Sequence, residues 1–141
     1  DSGPGGRVLK LHSCGDHGSA VCGCEEIGRV EQYKYLGVYI DCKLNWSPHV
    51  QYVKQKLRKL IYAFSQLSEV LTVDHCRTAY FAYAQSILQY GILAWGGASA
   101  SVLEPLAVTQ RSIIKTVLKR PSRFPSDNLF LDFSVLDVRQ L

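Results

Sequence analysis

His12, Cys14, His17, Cys22 and Cys24 place five potential metal ligands in one Gly-rich loop. Thiolates and imidazoles together are zinc chemistry. Ribbons and fingers, however, usually space a Cys pair by roughly two to four residues. Cys22 and Cys24 are separated by a single residue, and no second clean pair follows. The alternative is a hairpin loop whose cysteines pack as small hydrophobes. The two readings separate on metal content and on whether a chelator lowers the melting temperature.

Carboxylates are the next place to look. Two-metal phosphoryl transfer needs acidic side chains close enough to hold ions about 3.5–4 Å apart. The chain has no Asp-Asp and no Asp-x-Asp. Asp41 stands alone after a strand and reads as a turn or strand-end residue. His49, in the first turn of a helix, reads as a packing or capping residue rather than a base. No G-x-S-x-G, P-loop or H-E-x-x-H is present. The sequence therefore predicts no catalytic residue and no metal held by this chain.

Basic residues are better placed for function. The net charge of +4 is unevenly spread: residues 1–46 carry −1, residues 47–120 carry +6 and residues 121–141 carry −1. A clustered positive field of this kind suits a polyanion such as nucleic acid, and a solvated helical face is the bland alternative. Lys54 and Arg58 stack at i,i+4, with Lys59 adjacent. Arg111, Lys115 and Lys119 repeat at i,i+4. Lysines and arginines contact phosphates, and nearby Tyr and Trp offer stacking surfaces.

These residues need elements to position them. Residues 7–12 read as a strand with Leu9 and Leu11 on one face, and Val21 can start a second. Residues 27–41 are the strongest strand region. Within YKYLGVYID (33–41), simple alternation puts Tyr33, Tyr35, Gly37 and Tyr39 on one face and Lys34, Leu36, Val38 and Ile40 on the other. Gly37 leaves the aromatic face open to the close approach of another backbone. Ser47 and Pro48 read as N-cap and first residue of a helix. Its apolar stripe runs Val50, Val53, Leu57, Leu60, Phe64, Leu67, Leu71. A second helix, capped by Thr72 and reaching about Tyr90, is apolar on most sides and reads as the central, most buried one. A third starts at Ser101, in a capping box with Glu104, or at Pro105. It buries Leu106, Ile113, Ile114, Val117 and Leu118. After the linker at 120–127 come two short helical turns capped by Ser126 and Ser134.

With 47% hydrophobic residues the chain can bury a core. No apolar run approaches the roughly 20 residues of a membrane span, and the N-terminal DSGPGG has no signal-peptide character. Five cysteines without a secretory signal fit a reducing compartment, so the chain is expected inside the cell, nuclear or cytoplasmic, with no membrane partner. The absence of Met and the start at Asp1 suggest an excerpt.

YKYLGVYID, the trailing LNW and His49 resemble the end of the polymerase domain in reverse transcriptases of non-LTR (LINE-type) retrotransposons. LRKLIYAF (57–64), LQYGILAWGG (88–97), TQRSIIKTVLKR (109–120) and PSDNLFLDFSVLDVRQL (125–141) resemble segments that follow it in that family, in the same order. The likeness covers residues 27–141. It implies that Lys34, Tyr35, Leu36 and Gly37 form the primer-grip hairpin at the palm edge, and that the next helices form the thumb. It also implies an RNA-directed DNA polymerase as parent, with Mg²⁺ at carboxylates upstream of the hairpin.

The expectation is thus an α+β chain: a short antiparallel β-hairpin segment, then a helical, thumb-like bundle of three or more helices. Residues 1–46 would end the palm, with the hairpin at 27–41. Residues 47–120 would be the thumb, and 121–141 a linker and the start of a further helical segment. The chain would bind an RNA/DNA template–primer duplex through Lys54, Arg58, Lys59, Arg111 and Lys115. It would work beside the fingers and palm and be inactive alone. The competing readings are a stand-alone nucleic-acid-binding or interaction module derived from such an element, and a zinc-stabilised structural module.

Overall fold

The structure, a computed structural model, describes residues 9–10 and 24–141. The chain divides into two compact units, Asp1–Glu31 and Gln32–Leu141. In the first, β1 (Leu9–Lys10) pairs antiparallel with β2 (Glu26–Ile27), Leu9 opposite Ile27. The remainder of the expected 7–12 strand, and Val21, lie outside the described residues.

The second unit opens with a β-hairpin, β3 (Gln32–Tyr35) and β4 (Val38–Asp41), with Tyr35 opposite Val38 and Lys34 opposite Tyr39. Leu36 and Gly37 form its two-residue turn with φ of 45° and 82°. Positive φ at both positions is what a hairpin turn that follows the natural strand twist requires. The turn overturns the single alternating strand expected of YKYLGVYID. Cross-strand partners share a face, so Tyr39 lies with Lys34, whereas Tyr33 and Tyr35 share the other face with Ile40 and Val38. Tyr33 and Tyr35 remain exposed. Against Gly37 stands a side chain rather than a backbone: a Cβ there would lie 3.3 Å from the Tyr90 ring.

α1 spans Ser47–Val70. Ser47 does not cap it. Trp46 occupies that position in a left-handed conformation, φ 63°, with no side-chain cap, and Pro48 sits in the first turn. The chain is steered there by Asp41, whose carboxylate accepts the N–H groups of Asn45 and Trp46 at 3.2 and 2.9 Å. The α1 stripe forms as expected: Val50, Val53, Leu57 and Phe64 are buried, and Leu60 and Leu67 partly so. Leu71 is exposed.

α2 (Val73–Tyr80), a π-helical turn (Phe81–Gln85) and α3 (Ser86–Gln89) follow one another without a break. Cys76, Tyr80, Ala84 and Leu88, four residues apart, are all fully buried. In a regular helix a four-residue stripe drifts by about 40° per step. The wider π turn takes back part of that drift. Thr72 occupies the N-cap position, but its hydroxyl bonds His75 Nδ1 at 2.7 Å instead of the backbone. The segment is not the most buried one, because Phe81, Tyr83 and Tyr90 face outward.

The most buried helix is α5 (Ala100–Val117), which packs on α1 after the short α4 (Ile92–Trp95). Its core residues include Leu103, Leu106, Ala107, Ile113, Ile114 and Val117; Leu118 is half-buried. It starts after Ser99, earlier than either start read from the sequence. Pro105 therefore lies inside the helix, where it forgoes one backbone hydrogen bond. The Ser101–Glu104 capping box does not form, since Glu104 pairs with Arg111 at 2.7 Å.

α6 (Ser126–Phe133) ends at Ser134, which has φ 53° and closes that helix rather than opening the next turn. Asp137 caps the final turn, Val138–Gln140, in a reciprocal arrangement with Gln140. The expected α+β class holds: hairpin first, helices after. No helix among the described residues is long and apolar enough to cross a membrane.

Candidate nucleic-acid interface

Several contacts among the described residues join the hairpin to the helices. Its tip is held by Tyr90, whose hydroxyl donates to the Leu36 carbonyl at 2.6 Å. Its second strand is held by His49, whose Nδ1 accepts the Tyr39 N–H at 3.2 Å. Gly91 lies against Val38: a Cβ there would approach Val38 Cγ2 to 3.0 Å, and its φ of 69° suits glycine. Trp95, fully buried, donates its indole N–H to the Tyr90 carbonyl at 2.9 Å and so fixes the backbone that carries Tyr90.

On the hairpin, Lys34 projects towards α1. Its ammonium lies 5.3 Å from the Tyr39 ring centre and 5.0 Å from that of Tyr52, and the Lys56 ammonium lies 4.6 Å from the Tyr52 ring centre. A ring face attracts cations at this range. The hydrogen bond from Lys56, aided by the charges of Lys56 and Lys34, lowers the Tyr52 phenol below its ordinary value despite partial burial. Tyr35 and Leu36 are exposed at the tip. The four residues Lys34 to Gly37 thus form one continuous corner, with one cation and one exposed ring.

The expected phosphate contacts fall into two sets. Lys54 is half-buried, and Arg58 and Lys59 are exposed. None of the three makes an ion pair among the described residues. At 3.6 residues per turn, Lys54 and Arg58 lie on one flank of α1, and Lys59 lies with Tyr52 and Lys56 on the other. Arg111 and Lys115 already have partners. Arg111 binds Glu104, and Lys115 donates to the Ser122 carbonyl. Lys119, last of that stripe, pairs with Glu69 at 3.2 Å.

His12, Cys14, His17 and Cys22 lie outside the described residues. Among the described residues no group of three or more His, Cys, Asp or Glu side chains is placed to hold a metal ion. Asp41 is the turn residue that the sequence suggests: burial would raise its pKa, but backbone N–H groups from Asn45 and Trp46 outward outweigh that and lower it.

Reading the sequence missed Tyr52, Lys56 and Tyr90 as neighbours of the hairpin. Tyr52 and Lys56 are one helical turn apart, a usable signal. Tyr90 reaches the hairpin from far along the chain, and no local pattern announces it.

No protein-family model matches the chain, and no solved structure matches it. Among curated proteins it is similar to a probable RNA-directed DNA polymerase from transposon BS of Drosophila melanogaster, 26% identical over 113 residues. The match takes in 77% of this chain and 12% of that relative's length. The chain therefore resembles a transposon reverse transcriptase both in its ordered motifs and along most of its length.

Proposed function

We propose that this chain is part of a retrotransposon reverse transcriptase, of the LINE type, and that it holds the RNA/DNA template–primer duplex during RNA-templated DNA synthesis. The observation that carries the reading is the join between hairpin and α1. A corner of LINE-like sequence, Lys34 to Gly37, is tied by His49 and Tyr90 to a helix whose Lys54, Arg58 and Lys59 have no ion-pair partner among the described residues. Unpaired cations on a rigid helix are free to displace counterions from phosphates. The likeness to the transposon polymerase of Drosophila melanogaster supports the same assignment.

In this reading residues 1–46 close the palm, residues 47–120 are the thumb and residues 121–141 lead out of it. Lys34 to Gly37 grip the primer end. Lys54, Arg58 and Lys59 make phosphate contacts directly. Arg111 and Lys115 do so by exchanging Glu104 and the Ser122 carbonyl for phosphate oxygens. Fingers and palm are the protein partners. The Mg²⁺ implied for such a polymerase does not fit the residues described here: the Asp41 oxygens are taken by backbone N–H groups, and no acidic cluster accompanies them among the described residues. The role assigned to this chain is therefore positioning.

The test is anisotropy binding of a labelled RNA/DNA duplex to this chain and to a Lys54→Glu, Arg58→Glu, Lys59→Glu variant. The reading expects the variant to bind at least about tenfold more weakly, since each lost phosphate contact also adds repulsion. Equal affinity would remove the assignment.

A further inference from the structure

Between the hairpin turn, α1 and α3 lies a cavity of about 480 Å³, within the size range of small-molecule sites. Val53 and Ile87 give it apolar surface, Tyr52 and Tyr90 give it aromatic surface, and His49 and Lys56 supply polar groups. Its third wall is Ser86 and Ile87 at the start of α3, with Tyr90 just beyond that helix.

His49 makes this more than an apolar hollow. The ring is 1% exposed. Its Nδ1 accepts the Tyr39 N–H, so that nitrogen carries no proton. Burial, with the Lys56 charge, lowers its pKa and favours the neutral ring. The remaining proton must then sit on Nε2. Nε2 is buried without a partner among the described residues. A buried donor left unsatisfied costs roughly 1–3 kcal/mol; His49 lines the cavity, and an acceptor that reached Nε2 from there would recover part of that cost. Lys56, on the same helix, adds a cation that keeps further N–H donors beyond its contact with Tyr52.

We propose that this cavity is a binding site for a flat aromatic ring carrying an anionic oxygen group. The ring would lie between Tyr52 and Tyr90 on Val53 and Ile87. The oxygens would accept from His49 Nε2–H and from Lys56. An occupant of this kind would touch hairpin and helices at once and stiffen their join. The site lies beside Leu36 and Gly37 of the hairpin corner, on the flank of α1 away from Lys54 and Arg58.

The experiment titrates the full chain, with labelled histidine rings and methyl groups, with 2-naphthoate and with the uncharged 2-naphthol, followed by NMR. The result expected is saturable movement of His49 Nε2 and of the Val53 and Ile87 methyls with naphthoate, and binding of naphthol weaker by about fivefold or more. Lys56→Gln should reduce the naphthoate preference. Ile87→Trp should fill the cavity and abolish the shifts, with an unmoved Tyr39 amide reporting an intact hairpin join. A naphthoate titration that leaves His49 Nε2 and both methyls still, equal binding of the two probes, or undiminished binding to the Ile87→Trp variant with its Tyr39 amide unmoved, would overturn the proposal.

Discussion

Tyr90 and Leu36 lie 54 residues apart in sequence, yet the Tyr90 hydroxyl donates to the Leu36 carbonyl at 2.6 Å. That bond holds a turn residue whose φ of 45° is unfavourable for a branched side chain. Tyr90→Phe removes the donor and leaves the ring against Gly37. The expected loss is about 1 kcal/mol, read by urea unfolding, with faster amide exchange across the Tyr35–Val38 pair. Unaltered exchange there would mean that the turn stands without Tyr90.

Asp41, rather than Ser47, sets the start of α1. Ser47→Ala should change stability by no more than about 0.5 kcal/mol, whereas Asp41→Ala should lower the melting temperature clearly. The Asp41 pKa is lowered by backbone N–H groups that outweigh burial. A lowered carboxyl pKa contributes stability that is present above its unfolded value and lost as pH falls through the folded value. The wild type should therefore lose stability in acid below pH 3.8 by more than the Asp41→Ala variant does. Melting curves across that window decide it.

Gln110 is fully buried and satisfied. Its Nε2 donates to the Tyr80 hydroxyl at 2.7 Å and to the Leu136 carbonyl at 2.8 Å, and its Oε1 accepts the Val138 N–H at 2.9 Å. Gln110→Leu strands all three partners and should cost about 3 kcal/mol in chemical unfolding.

Burial raises the Tyr80 hydroxyl to about 12, with the Gln110 hydrogen bond opposing it and the Asp137 charge adding to it. Since the unfolded phenol ionises near 10, stability from this group is complete below that pH and is lost as pH rises towards 12. Tyr80→Phe should flatten the alkaline branch of the stability profile. An equally steep branch in that variant would place the alkaline loss elsewhere.

His49 should titrate below 6.5, because burial and the Lys56 charge both oppose protonation. Its contribution to stability is then present above 6.5 and lost as pH falls through the folded value. An imidazole midpoint at or above 6.5, followed by NMR, would contradict the buried neutral ring.

Much of this fold could be read from local sequence because local forces set it. The α1 stripe from Val50 to Leu67 follows from helical periodicity, and α5 buries four of the five residues named for it. The errors came where a partner outside the local motif decided the outcome. Leu36–Gly37 lacks the Asn-Gly or Asp-Gly signature of its turn and is fixed with help from Tyr90. Ser47 satisfies the local rule for a cap, but Asp41, bonding Asn45 and Trp46, had already determined how the chain enters α1. Ser101–Glu104 fits a capping box, yet Arg111 and Arg139 claim Glu104. Periodicity also located Lys54 and Arg58 on one flank, while the pairing of Arg111 with Glu104 needed the folded chain to become visible.

The central claim, that Lys54, Arg58 and Lys59, which make no ion pair among the described residues, hold duplex phosphates, is tested most directly by the salt dependence of binding. The association constant for an RNA/DNA duplex would be measured from low to moderate salt for the wild type and for a Lys54→Gln, Arg58→Gln, Lys59→Gln variant. If each cation releases about one counterion, the slope of log K against log salt should become shallower by about 2 to 3 in the variant. A slope identical to that of the wild type would contradict the account.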